Sequence, residues 1–194
     1  MPPDIKDSIQ VGPKCVVVDS CDLRGDITIG PGTVLQPRCT LLALSGPIIL
    51  GSNNIVEENV VIVNRLKRPL VIGDHNLFQV GARIESPTVG DHNSFGIRSR
   101  TSPHVTIGSH CSIGAGCIVL PNPFAATTTT SAATEDETDA TVDKVADYTH
   151  VFGADNRQTI YDSGEGSVQE RALFAKHLDY LRETLPKFHK LKMF

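Results

Sequence analysis

From Val11 onward an aliphatic side chain returns at every sixth position: Val11, Val17, Leu23, Ile29, Leu35 and Leu41. After a three-residue slip the series resumes at Leu50, Val56 and Ile62. It returns at Ile72, Phe78 and Ile84, then at Val89, Phe95, Thr101, Ile107, Ile113 and Val119, and Thr101 is its one polar member. This period is neither the alternation of a half-buried strand nor the roughly 3.6-residue turn of an amphipathic helix. Two further columns keep the frame. Glycine follows the aliphatic residue at Gly12, Gly30, Gly51, Gly73, Gly90, Gly96, Gly108 and Gly114, as a corner short of room or of positive φ requires. Four positions after it stand small or β-branched residues, among them Cys15, Cys21, Ile27, Thr33, Cys39, Val60, Ala82, Ser99, Val105, Cys111 and Cys117.

Three hexads make a triangular coil of short strands, and successive coils stack at the strand spacing of roughly 4.8 Å. The repeats over residues 11–124 amount to about six coils, or a prism of roughly 30 Å. A single coil cannot bury its own apolar face, so stability comes from its neighbours. The prediction is an all-β solenoid over 1–124, a parallel β-helix of hexapeptide repeats. Its slips, after Leu41, after Ile62 and before Val89, fall at corners. Residues 125–144 are Thr/Ala-rich and then acidic, and read as a disordered insertion. Residues 145–164 supply a final β segment around His150-Val-Phe-Gly and a linker punctuated by Gly164 and Gly166.

Over 165–194 the pattern changes to a C-terminal α-helix and basic tail. Ser167 is the expected N-cap, with Glu170 three residues on. Phe174, Leu178, Leu181, Leu185 and Phe188 form one apolar stripe, and Pro186 stops or kinks the helix near its end. The stripe is expected to pack on the prism, with contact to a partner subunit as the rival reading. Lys187, His189, Lys190 and Lys192 read as a solvated tail rather than a seat for an acidic partner.

Composition narrows the function. All five cysteines fall in the small inward column and none lies in a C-x-x-C pair, which suits buried reduced thiols in the cytosol. A net charge of −4 gives no reason to expect nucleic-acid binding. The apolar runs are too short to span a bilayer, and residues 1–10 lack the regions of a secretory signal. His75, His92 and His110 recur at spacings of 17 and 18 and should stack along one edge. Ile72-Gly-Asp-His-Asn and Val89-Gly-Asp-His-Asn are near-identical corners, so the column reads as solvated turn chemistry, with an adventitious or inter-subunit metal as the alternative.

The repeat resembles that of the hexapeptide-repeat proteins, which implies the left-handed sense. Two enzyme classes share it. Leu23-Arg-Gly-Asp-Ile-Thr-Ile-Gly with Thr33 and Gln36 resembles a segment of the γ-class carbonic anhydrases. Pro37 stands where that family has Asp, and the His-x4-His pair is missing; His104 and His110 lie six apart. Arg24 and Asp26 are therefore expected as a surface ion pair or interface contact. The hexapeptide acyltransferases use a histidine on a projecting loop as general base, and the stretch 125–144 contains none. The basic corner Val63-Asn-Arg-Leu-Lys-Arg-Pro69 would meet an anionic group but carries no placed base.

Several segments together resemble the dynactin p27 (subunit 6) family: Ile27-Thr-Ile-Gly-Pro, Gly46-Pro-Ile-Ile-Leu-Gly, Asn54-Ile-Val-Glu-Glu and Val71-Ile-Gly-Asp-His-Asn-Leu-Phe-Gln-Val-Gly. Val151-Phe-Gly-Ala-Asp and Leu185-Pro-Lys-Phe-His-Lys-Leu-Lys follow in the same order, while 125–144 has no counterpart. The resemblance implies a non-catalytic subunit without cofactor or metal, in the cytoplasm and at the cytoskeleton. It would sit in dynactin's pointed-end complex beside p25-like, Arp11-like and p62-like subunits and contribute to adaptor or cargo choice for dynein. A γ-carbonic-anhydrase-like or acyltransferase-like enzyme is the alternative. Candidate interface residues are Arg24 and Asp26, Glu57 and Glu58 at one corner, and the helix stripe Phe174, Leu178, Leu181 and Leu185. The open sheet edges at the prism ends need covering, by the N-terminal segment and the C-terminal helix.

Overall fold

The computed structural model describes residues 7–122, 143–161 and 165–194, with helix side chains described from Gln169 onward. The first circuit comprises β1 (Ser8–Val11), β2 (Val16–Val17) and β3 (Asp22–Arg24), and the second β4 (Asp26–Ile29), β5 (Val34–Leu35) and β6 (Thr40–Ala43). The third holds β7 (Ile48–Leu50), β8 (Ile55–Val56) and β9 (Val61–Asn64); the fourth β10 (Leu70–Ile72), β11 (Leu77–Phe78) and β12 (Arg83–Ile84). The fifth holds β13 (Thr88–Val89), β14 (Ser94–Phe95) and β15 (Arg100–Thr101); the sixth β16 (Val105–Ile107), β17 (Ser112–Ile113) and β18 (Ile118–Val119). Then come β19 (Asp143–Val145), β20 (Thr149–Phe152), β21 (Arg157–Ile160) and the helix α1 (Glu165–Phe188).

Every third strand pairs in parallel, giving three faces of 7, 8 and 6 strands. The register holds the six-residue columns in line. Ile29 meets Leu50, Leu50 meets Ile72, Ile72 meets Val89, and Val89 meets Ile107, all inward on the first face. On the second face Val17, Leu35, Val56, Phe78, Phe95, Ile113 and Val151 stack in the same way. Phe78 and Phe95 lie ring on ring, with centroids 4.9 Å apart. The glycine after each aliphatic residue answers to crowding: a Cβ on Gly30 would lie 2.5 Å from the Gly51 carbonyl carbon of the next coil. Thr101 is buried because its hydroxyl accepts from the Glu85 and Ser86 N–H groups at 3.2 and 3.3 Å, closing the shortened corner before Val89. The longer corner after Ile62 is organised by buried Asn64, which donates to the carbonyls of Pro47 and Arg68 at 2.9 Å and accepts from Leu66 N–H.

Four of the cysteines are buried, Cys15 is half-buried, and all five are free thiols. Cys21 beside it, together with burial, pushes the Cys39 thiol up from its ordinary value; burial does the same at Cys111.

Helix α1 runs back along the second face. At about 1.5 Å per residue its 24 residues reach roughly 36 Å, close to the roughly 34 Å of eight stacked strands. Leu178, Leu181 and Leu185 join the core, while Phe188 is exposed. The stripe thus packs on the prism, and those three leucines are covered by their own chain. The helix opens at Glu165, so Ser167 and Gly166 lie inside its first turn rather than at an N-cap and in a linker. Pro186 sits in the last turn, as expected of a residue that ends a helix. Asp143 and Lys144, expected in the insertion, belong to β19; the remainder of that insertion, and Gly164, lie outside the described residues.

The C-terminal run differs from a solvated tail. Val18 bridges Leu191 antiparallel, Asp19 N–H donates to Lys190 O and Lys192 N–H to Val17 O, both at 2.8 Å. Its backbone covers the open edge of β2, and Lys190 stands 3.5 Å from Asp19. At the other end β21 pairs antiparallel with β20. The second face therefore ends in an antiparallel segment at both extremes, which removes the edge a parallel stack would otherwise offer.

Candidate functional site: a cleft beside a stack of rings

The Gly-Asp-His-Asn corners assign a separate task to each residue. Histidines 75, 92 and 110 and Tyr148 adopt φ of 57–60°, the left-handed region. That turn aims each ring along the outside of the second face, one coil apart. His75 and His92 stack with centroids at 4.9 Å, His92 and His110 at 5.0 Å, and His110 and Tyr148 at 4.8 Å, with planes within 12° of parallel. The aspartates point to the neighbouring coil: Asp91 accepts from Asp74 N–H at 2.7 Å and Asp147 from Ser109 N–H at 3.0 Å. The asparagines run a buried ladder, Asn54 accepting from Asn76 N–H, Asn76 from Asn93 N–H and Asn93 from Cys111 N–H at 2.7–2.8 Å.

The stacking predicted for His75, His92 and His110 is present, but the column is half-buried rather than solvated, because α1 lies against it. At its head Arg182 donates to Gly32 O and to Asn53 Oδ1, the latter at 2.6 Å, and Phe174 lies 6.1 Å from the His75 ring. Toward its foot the helix stands away from the sheet and leaves a cleft of about 740 Å³. Five of the seven histidines line it, His150 and His177 joining the column, with Tyr148, Tyr161, Phe174 and Arg171 completing the walls. Burial, then the neighbouring His75 and His110, holds His92 below the ordinary histidine value. The Nδ1 atoms of His75 and His92 are buried without a partner.

The rings do not converge. Imidazole lone pairs lie in the ring plane, so parallel rings about 5 Å apart present them side by side, whereas a tetrahedral ion needs them aimed at one point. Among the described residues no three His, Cys, Asp or Glu side chains gather as a metal-binding set. No carboxylate accepts from a cleft imidazole among the described hydrogen bonds, as the orienting partner of a general base would.

The other candidates are placed as follows. Arg24 pairs with Asp22 at 2.9 Å, not with Asp26. Both partners lie on the outward side of β3, two residues apart, whereas Gly25, at φ 88°, turns the chain and puts Asp26 on the next face. A Cβ at Gly25 would run into the Ala43 carbonyl, so the turn is reserved for glycine. Glu57 accepts from Val80 N–H at 3.0 Å, and Glu58 lies 3.1 Å from the Gln36 amide. Burial raises the Glu57 carboxyl above the ordinary range. These two glutamates stitch adjacent corners and are half-buried. The basic corner at 65–68 is partly neutralised, Glu85 standing 2.6 Å from Arg83 and 3.9 Å from Arg65. Sequence reasoning missed Tyr148, His150, Tyr161, Arg171 and His177. Tyr148 shares the corner role of His110, and its Asp147-Tyr148 pair follows the Asp-His order, a signal that the intervening stretch 125–144 obscured.

No family model matches the chain. Among solved structures, a putative acetyltransferase from Bacillus cereus superposes with a TM-score of 0.74 over 92% of both chains at 14% identity, a likeness of fold, and the left-handed β-helix is shared with it. Curated relatives named dynactin subunit 6 cover nearly the whole chain. The protein from Nematostella vectensis is 28% identical over 95% of this chain and 92% of its own length. That from Dictyostelium discoideum is 32% identical over 98% of this chain and 93% of its own. At 32% identity along nearly the full length of both chains, the chain belongs to the dynactin subunit 6 family.

Proposed function

We propose that this chain is a non-catalytic structural subunit of dynactin's pointed-end complex, assembling beside p25-like, Arp11-like and p62-like subunits in the cytoplasm and at the cytoskeleton. In that place it supports dynein-driven transport along microtubules through adaptor or cargo contacts. The observation that carries this reading is the 32% identity to a dynactin subunit 6 along 98% of the chain. The geometry supports the non-catalytic part. The six-residue frame is spent on packing, the corner aspartates on the backbone of the preceding coil, the asparagines on that of the next, and the imidazoles on one another. A fold shared with acyltransferases does not by itself bring their chemistry. No described helix is long and apolar enough to cross a membrane.

Of the candidate interface residues, Arg24 and Asp26 stay exposed at the N-terminal end of the prism, and Phe174 stays half-exposed at the cleft. Contact with a neighbouring subunit falls to these, since the three leucines and the two glutamates are engaged within the chain. Affinity purification of the tagged protein followed by identification of its partners tests the reading. Co-recovery of other dynactin subunits is expected, and recovery without any of them removes it.

A further inference from the structure

We propose that the outer side of the third face, together with the corner that follows Ile62, is the docking surface for an acidic segment of a partner protein in which an aliphatic residue stands beside the carboxylates. The proposal rests on the assembly reading above and names the chemistry of one contact. On β12, β15 and β18 the inward residues are Ile84, Thr101 and Val119, so Arg83, Arg100 and Ile118 face outward. Arg83 and Arg100 are in register, one strand spacing of roughly 4.8 Å apart. The corner of the third circuit adds Arg65, Lys67 and Arg68, and Arg65 leans toward the same strand, 3.9 Å from Glu85. Among the described residues Glu85 is the one carboxylate paired with any of these five cations; its side chain is 14% exposed and stands 2.6 Å from Arg83. Lys67, Arg68 and Arg100 stand in no ion pair among those residues. The result is a local surplus of positive charge on a chain whose formal net charge is −4.

Like charges side by side repel until a carboxylate comes between them, and guanidinium forks take carboxylates in bidentate pairs. Helix α1 packs against β2 and β5 of the second face, which leaves the outer side of β15 and β18 exposed among the described residues. Ile118 is in register with Arg100, and Leu120 beyond it is 63% exposed, so the cationic stretch passes directly into an aliphatic one. A nucleic acid offers nothing to those two side chains, and the negative balance of the whole chain opposes a polyanion or an anionic bilayer at long range. From the circuit of Arg65 to that of Ile118 is three strand spacings, roughly 14 Å, the reach of about four residues of extended chain. A short acidic segment with an aliphatic side chain fits that length, that charge and that neighbour.

The test is fluorescence anisotropy of the full chain at low salt with a labelled peptide of three Glu-Glu-Leu repeats. Controls replace every Glu by Lys or every Leu by Ser, and a single-stranded oligonucleotide and phosphatidylserine vesicles stand for the other anionic partners. Saturable binding of the acidic peptide is expected, about tenfold weaker for the Lys peptide, about threefold weaker for the Ser peptide, and tighter than that of the oligonucleotide or the vesicles. Arg100→Glu should weaken it about tenfold and Leu120→Ser about threefold, both with an unchanged melting temperature. Lys176→Glu makes the same charge change on α1 and should leave binding as it was. Equal binding of the Lys peptide, equal loss in Lys176→Glu and Arg100→Glu, tighter binding of the oligonucleotide or the vesicles, or no saturable binding would overturn the proposal. So would a tenfold gain in affinity when Glu135, Asp136, Glu137 and Asp139 are changed together to their amides, which would assign the surface to the chain's own acidic tract. The peptide titration does not depend on co-purification, so this proposal and the assembly reading can fail separately.

Discussion

Two columns run the length of the second face within a few ångströms of each other, and they are built on opposite principles. The inward one, from Val17 through Phe78 and Phe95 to Val151, asks of each residue only that it be apolar and of the right volume. The corner one asks for a left-handed turn from Gly32 and Asn53 through His75, His92 and His110 to Tyr148, for a ring that stacks from His75 onward, and for neighbours that cap an adjoining coil. The first is non-directional and tolerates exchange among aliphatic residues. The second is directional, so each of its residues has a chemical task. The contrast teaches that a repeat protein can keep the positions that fill its core and those that shape its corners in separate columns of the same repeat.

The comparison breaks most sharply at Phe78. Phe78→Ala deletes a fully buried ring stacked on Phe95 and should cost about 3–5 kcal/mol, read as a loss of stability in chemical denaturation. Asn76→Ala comes next. It removes the acceptor of the buried Asn93 N–H and should cost about 1–3 kcal/mol, with hydrogen-exchange protection falling first at residues 92–94.

The ring column gives a smaller effect with a particular pH dependence. His92 is held below the ordinary value of 6.5, so as pH falls through that value the unfolded chain takes up the proton first. Stability is full above pH 6.5 and is lost on acidification until the folded group also titrates. His92→Asn should therefore change stability at pH 7.5 by less than about 0.5 kcal/mol and flatten the decline below pH 6.5. A wild-type slope matching the variant's would detach the ring column from the pH response. The smallest perturbation is chemical labelling: under native conditions a thiol reagent should modify half-buried Cys15 first and leave Cys39 unmodified, with mass spectrometry reporting the order.

Much of the solenoid was legible in residue spacing. The aliphatic positions from Val17 to Val119 are the inward stacks, and Thr101, the one polar member, proved to be a corner acceptor. The histidine column was legible too, since spacings of 17 and 18 equal one coil. Its environment was not. Whether a corner faces water depends on where α1 lies, and α1 is placed by contacts such as Arg182 to Gly32, 150 residues apart. The Arg24–Asp26 pairing failed for a local reason: Gly25 turns the chain between them, and the residue two positions back, Asp22, became the partner.

The amino-acid sequence by itself determined the period, the three faces, the inward columns and the presence of a terminal helix. These follow from side-chain volume and polarity repeated at short range, where each coil repeats the demands of the last. The tertiary structure alone decided that the tail covers β2, that β21 folds back on β20, and that α1 seats Leu178, Leu181 and Leu185 while leaving a cleft at its other end. Those outcomes depend on how segments far apart in the chain fit together in space, and no six-residue pattern encodes that fit.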